Sequence, residues 1–394
     1  YKHEYRDMSG WSALCAALPS LQSLTSFSAV DIDMPPEGAA LLADAIPKIA
    51  SVDKIVLDEN FLTATERQGY GYSKTKLDVD LSGFKLLCEA MVLSQVREIS
   101  FRSCWLGPQA SALLADMIKS FTASLTSCCL LHNPLGEGVK DIINVFEQTP
   151  RLRTLCGFEE GVENIDWSGS GKGVTDVALL AADLAAGRAI ASLTSLHCGS
   201  NPIGDVGMIP LLDAAKSVKL TVFDISSTEI GPLSADRLAD ALCDATPTPF
   251  SATLTRLDIS GVRGLLSGRI ARAMAVLAKA HVVALGGTSV ADVCVGACEA
   301  ADSAGIGNAT SSNDEWPGVL ALMCATAGTA CAGAKGVAGD SILHLIVRHH
   351  ERLVELLKSS PHACDEFVSW PTDQNATRLV STWLTSLGVT VGVD

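Results

Sequence analysis

Residues 125–136 read LTSCCLLHNPLG, so Leu125, Cys128, Leu130, Asn133 and Leu135 stand at the spacing L-x-x-L-x-L-x-x-N-x-L, with Gly136 after them. Three more stretches carry the same frame: 96–107 (VREISFRSCWLG), 193–204 (LTSLHCGSNPIG) and 220–231 (LTVFDISSTEIG). Within each, apolar and polar residues alternate over five or six positions, which is the period of one short strand with a single buried face. The segments that follow, 109–120 (QASALLADMIKS), 206–217 (VGMIPLLDAAKS) and 235–245 (ADRLADALCDA), carry apolar residues at helical spacing. Alanine stands in them where helices must approach closely. The sequence therefore alternates strand and helix, with a glycine-bearing turn between.

Weaker copies extend the array. One is Val52, Ile55, Leu57, Asn60 and Leu62; another is Leu152 and Leu155; a third is Leu254, Leu257, Ile259 and Val262. Degenerate copies stand at Leu21 with Leu24 and at Val282 with Leu285. Starts at 96, 125 and 152 are 29 and 27 residues apart, 193 and 220 are 27 apart, and 254 and 282 are 28 apart. A period that long leaves room for a full α-helix in each second half, where repeats of about 20–24 residues do not. The Asn or Cys at the ninth position of the frame is expected to hydrogen-bond turn backbone that is otherwise buried and unpaired.

The frame is the leucine-rich-repeat consensus. Over about residues 20–300 the chain resembles the ribonuclease-inhibitor-like class of leucine-rich-repeat proteins. That resemblance implies an α/β horseshoe solenoid of about eight or nine repeats, with a parallel sheet on the concave face and helices on the convex face. It also implies protein–protein binding and brings no shared catalytic residues. The domain reading is an N-terminal cap over 1–20, the solenoid over 21–304, and a linker with a helical C-terminal cap over 305–394. In that last part 342–358 (ILHLIVRHHERLVELLK) reads as an amphipathic helix and 376–387 (ATRLVSTWLTSL) as a last helix.

Three gaps break the period. Residues 63–76 (TATERQGYGYSKTK), holding Tyr70 and Tyr72, lengthen one repeat, and 159–173 (EEGVENIDWSGSGKG), holding Trp167, lengthen another. The third is a proline-bearing excursion at 246–252 (TPTPFSA). Insertions in solenoids emerge as loops and often serve binding sites, so Tyr70, Tyr72 and Trp167 are candidate contact residues.

Composition narrows the partners. The formal net charge of −15 and the lack of a basic stripe argue against nucleic acid and anionic lipid, and leave basic or neutral proteins. Thirteen cysteines, an odd number without framework spacing, suit a reducing intracellular compartment, with Cys104, Cys128 and Cys198 packing as small apolar groups. Cytoplasm is one expectation; the mitochondrial matrix is the other, should a presequence be removed before Tyr1. The uncharged stretch 318–334 is rich in Ala, Gly and Thr and short for a bilayer, so it reads as a buried helix and the protein as not integral to membrane.

Motifs of catalysis fail individually. The run Gly169-Ser-Gly-Lys-Gly173 has the look of a phosphate loop, yet Asp166 stands where the first glycine is required and Gly173 follows Lys172 in place of Ser or Thr. There is no G-x-S-x-G and no H-E-x-x-H. Cys294, Cys298, Cys324 and Cys331 lack zinc-knuckle spacing, and adjacent His349 and His350 point apart on a helix. No catalytic residue, metal, cofactor or small-molecule substrate is expected. The Ran GTPase-activating proteins share the resemblance, and that activity is the alternative function. Their catalytic arginine sits in a T-G-R context that this chain lacks; Arg67, in the first insertion, is the loop arginine in a comparable region.

Strand residues between the core leucines should point into the horseshoe. The column after the second leucine is Val56, Ser100, Cys129, Cys156, His197, Asp224 and Asp258. The next is Asp58, Arg102, Leu131, Phe158, Gly199, Ser226 and Ser260, and the third Glu59, Ser103, His132, Glu159, Ser200, Ser227 and Gly261. Asp58, Glu59 and Arg102 form a charged end. Cys129, Leu131, Cys156 and Phe158, beside His132, form an apolar middle, and His197, Asp224 and Asp258 a polar far end. An apolar centre with a polar rim is what a protein-binding patch needs. The expected function is a non-catalytic interaction scaffold, an accessory subunit bound to other proteins, with a transient regulatory binder as the variant of that reading.

Overall fold

The computed structural model describes residues 7–66, 76–121, 125–243 and 248–259. Tyr70, Tyr72 and Arg67, the repeat copy at Val282, and the expected C-terminal cap at 305–394 lie outside the described residues. Two compact units emerge. The first holds residues up to 163 together with 172–192, and the second holds 164–171 together with residues from 193 onward.

In the first unit, β1 (Ser26–Ser28), β2 (Lys54–Val56), β3 (Glu98–Ser100) and β4 (Ser127–Cys129) form a parallel sheet in that order. The register joins equal positions of the frame: Phe27, Ile55, Ile99 and Cys128 pair in sequence. Ile55, Ile99 and Cys128 are buried while their strand neighbours are not, so one face meets the core and the other stays open. Helices α1 (Ser9–Ala17), α2 (Pro36–Ala45), α3 (Ser82–Val92), α4 (Pro108–Ser120), α5 (Val139–Gln148) and α6 (Val174–Ala186) each pack on the next. The two helices α2 and α3 approach closely at Gly83, where a Cβ would stand 1.8 Å from the Pro36 carbonyl oxygen. Phe84 and Phe101, both fully buried, meet edge to face at 5.5 Å behind it.

In the second unit, β5 (Asn164–Asp166), β6 (Ser195–His197), β7 (Val222–Asp224) and β8 (Arg256–Asp258) form a second parallel sheet, and α7 (Gly204–Ala215) packs on α8 (Pro232–Cys243). Ile165, Leu196, Phe223 and Leu257 pair in register and are buried. Part of the expected proline-bearing excursion is a short helix, α9 (Pro249–Thr253), which Thr248 caps by accepting from the Ser251 amide.

The ninth-position residues do what the frame requires. Asn60 donates to the carbonyls of Ala29, Leu57 and Asp58, and Asn133 to those of Phe101, Leu130 and Leu131. In the second unit Asn201 does so for Trp167, Cys198 and Gly199. Cys104 offers one thiol in the same place, donating to the Leu57 carbonyl at 3.0 Å.

Two expectations need correction. Residues 159–173 are not one loop: β5 lies inside them, and Trp167 is a core side chain, 7% exposed, at the position held by Cys198 and Ile225 in the next repeats. The polar neighbours Asn164, Asp166 and Ser168 hide that strand, because only Ile165 and Trp167 carry its apolar face. Second, the third concave column is not strand. Glu59, Ser103, His132, Ser200 and Ser227 have φ of 61°, 57°, 59°, 56° and 52°, left-handed turn geometry that lets the next residue aim its side chain inward.

Candidate protein-binding face

The open face of the first sheet carries a groove of about 820 Å³. Val56, Ser100 and Cys129 stand side by side in register across β2, β3 and β4, and with Leu131 and Phe158 they line its floor. Of the expected apolar middle, Cys129, Leu131, Cys156 and Phe158 all border this space, and Asp58 and Arg102 border it too. Glu59 and His132 are set in the turns at the strand ends.

The wall at the strand N-termini is built from ion pairs, two of them between neighbouring repeats and one, Arg153 with Glu160, within a repeat. Lys54 meets Glu98 at 2.9 Å, Arg97 holds Asp53 through two nitrogens, and Arg153 meets Glu160 at 2.7 Å. Except for Glu160, those residues sit before the second leucine of the frame, and reading only the columns after it missed them. At the opposite end Asp58 Oδ1 accepts from the Ser100 hydroxyl at 2.5 Å and from the Arg102 amide at 2.8 Å. The Arg102 side chain is exposed and makes no ion pair among the described residues.

Cys156 departs from its expected place. Successive rungs between β2 and β3 advance two residues on each strand (Leu57 N to Ser100 O, Glu59 N to Arg102 O). Beyond β4 they slip: Cys128 N bonds Thr154 O, but Leu130 N bonds Leu155 O. The backbone bends there, Gly157 comes opposite Cys129, and the buried Cys156 thiol lies against Asp183 instead of continuing the column. The fully buried Asp183 carboxylate takes the place of a further strand, accepting from Leu155 N at 2.8 Å, Cys156 N at 3.2 Å and the Thr154 hydroxyl at 2.6 Å. Burial pushes the Asp183 carboxyl up to about 6 in spite of those hydrogen bonds. Burial and the nearby Asp183 also push the Cys156 thiol well up, so it is held as a thiol. Arg188 closes the adjoining turn by donating to the carbonyls of Phe146, Thr149 and Leu152, with its guanidinium 4.6 Å from the Phe146 ring centre.

Lys172, from the phosphate-loop-like run, is only 4% exposed, with its Nζ hydrogen-bonded to His132 Nε2. Asp176 caps the start of α6 at Gly173 N and accepts from His132 N at 2.5 Å. Burial lowers both the Lys172 and His132 pKa values, and Lys172 lowers that of His132 further. A lysine so packed is a structural member of the turn.

In the second unit His197, Asp224 and Asp258 form one column across β6, β7 and β8, and β5 adds Asp166, which the sequence reading missed. Its signal was present as Ile165-x-Trp167-x-x-Ser170-x-Lys172-Gly173, the same frame with polar substitutions. His197 Nδ1 lies 3.6 Å from Asp224 Oδ2. Among the described residues no group of three or more His, Cys, Asp or Glu side chains is placed to hold a metal ion, and no helix is long and apolar enough to cross a membrane.

A family model described as Leucine Rich repeat matches residues 190–212, which span β6 and most of α7. Comparison with curated proteins gives no match. With parallel strands and helices alternating through two sheets, the match supports an α/β leucine-rich-repeat protein, and repeats of that kind are typically protein-interaction modules.

Proposed function

We propose that this protein is a non-catalytic interaction scaffold, an accessory subunit of a larger assembly, that seats a partner protein on the open face of its first sheet. The observation that carries the reading is the groove: an apolar floor of Val56, Cys129, Leu131 and Phe158 with ion-paired side chains along one wall. Binding there removes apolar surface from water while the wall charges keep their intramolecular partners, so little desolvated charge is left unpaired. The proposal includes a reducing intracellular compartment, supported by the buried cysteines that pack as thiols at repeat core positions.

The test is the native size of the protein in a gentle extract, with mass spectrometry of what comigrates. Migration far above the 41.1 kDa of the polypeptide with a fixed set of companions, lost in a Val56→Arg variant, is the expected result. Migration of the wild type as a monomer overturns the subunit reading; companions retained by Val56→Arg overturn the choice of face.

A further inference from the structure

We propose that the groove of the first unit recognises a partner segment in which a carboxylate stands next to a large apolar side chain, the carboxylate pairing with Arg102; this rests on the interaction reading above. The argument is one of local charge complementarity. Of the charged side chains around the groove, Asp53, Glu98 and Glu160 are held by Arg97, Lys54 and Arg153, and Asp58 is engaged by Ser100 and the Arg102 amide. Glu159 lies in the field of Lys54. The exposed guanidinium of Arg102 has no carboxylate against it among the described residues, and it stands at the end of the floor beside Leu131, which is 6% exposed.

Behind it sit two more basic groups, Lys172 and His132, in contact with each other. Arg102 contributes to the lowering of both their pKa values, after burial, so the three share one field. Asp176 offsets part of that field from the far side, bound to the His132 amide and the start of α6. A planar, permanently charged guanidinium at the rim of an apolar floor matches a carboxylate in two-pronged geometry, which a lysine cannot do. The 394-residue chain carries −15 and repels acidic proteins at a distance. The fitting ligand is therefore a single Asp or Glu side chain in an otherwise apolar or basic stretch of polypeptide.

The experiment selects a randomised phage-displayed peptide library on the full-length protein and, in parallel, on an Arg102→Glu variant checked for unchanged far-ultraviolet circular dichroism. The expected result is enrichment of peptides with a carboxylate within a residue or two of Leu, Ile, Met or Phe. Arg102→Glu should weaken those peptides about tenfold or more and select lysine or arginine in place of the acid. Peptides enriched without an acid, peptides indifferent to Arg102→Glu, or no enrichment on the unsubstituted protein each overturn the inference. If Val56→Arg strips the native companions while Arg102→Glu leaves them bound, the interaction reading stands and this inference alone falls.

Discussion

Asp183 is a buried carboxylate that stands in for a strand, and its titration can be read in stability. Its pKa of about 6 in the fold lies above the ordinary 3.8 it regains on unfolding. Between those values the folded protein holds a proton that the unfolded state has released, so stability falls as pH rises through the window. The contribution is fully present below about pH 4 and lost above about pH 6; a displacement of this size is worth about 3 kcal/mol. Asp183→Asn removes the titration while leaving one oxygen for Leu155 N, and Cys156 N keeps its bond to the Thr154 hydroxyl. The amide then crowds donors around Thr154 Oγ1, which already accepts from Cys156 and Phe158, at a cost of about 1 kcal/mol. Urea unfolding followed by tryptophan fluorescence should therefore find the wild type more stable than the variant at pH 4 and less stable at pH 7. Taking the difference between the two proteins cancels every other titrating group. A difference that stays constant from pH 4 to pH 7 refutes the argument that burial dominates the three hydrogen bonds.

Three further outcomes are expected. Asn133→Ala leaves the carbonyls of Phe101, Leu130 and Leu131 and the Leu106 amide without their side-chain partner, and should lower the unfolding free energy by about 3 kcal/mol in urea titration. Gly83→Ala places a methyl group against the Pro36 carbonyl, so α2 and α3 must part; a loss of about 3 kcal/mol, visible as a lower thermal midpoint, is expected. His132, held by burial and by Lys172 below the ordinary 6.5, should titrate below that value in NMR and move upward in Lys172→Met. Because its folded pKa is depressed, its contribution to stability is present above pH 6.5 and is lost as pH falls through the folded value.

What the sequence showed and what it hid divide along a physical line. Frame residues such as Leu130, Asn133 and Leu135 are legible because each repeat buries the same positions against the same neighbours, and the strand register follows from aligning the frames. Helices α4, α7 and α8 begin within a few residues of the apolar periodicity at 109, 206 and 235 for the same reason. Strand β5 was hidden because burial there needs only Ile165 and Trp167, and a single tryptophan fills the place of a leucine without resembling one. The slip at Thr154 was hidden because Leu152 and Leu155 keep the apolar spacing of a strand while Asp183, far along the sequence, takes its amides. Of the candidate face, the floor residues were legible from the alternation. The wall pairs of Asp53 with Arg97 and Lys54 with Glu98 were not, since ion pairs between repeats depend on register and not on period.

Acids that reach into the next repeat explain a second blind spot. Helix α4 starts as Gly107-Pro108 and α8 as Gly231-Pro232, with a proline suited to a first turn but no Ser, Thr, Asp or Asn directly before it to cap the amides. The cap arrives from the preceding repeat. Asp78, 7% exposed, accepts from Gly107 N, Gln109 N and Ala110 N, and Asp205 from Gly231 N and Ser234 N. A carboxylate at a helix N-terminus satisfies orphan donors and opposes the positive end of the dipole. In a protein with few charged residues, Asp78 and Asp205 thus each tie the start of one helix to the repeat before it. The glycine before each proline is required by this arrangement: at Gly107 a Cβ would stand 2.5 Å from the Asp78 carboxylate, and at Gly231 2.7 Å from that of Asp205. Local signals of helix initiation are absent at these two places because initiation here is not local, and α4 and α8 each depend for their first turn on the preceding repeat.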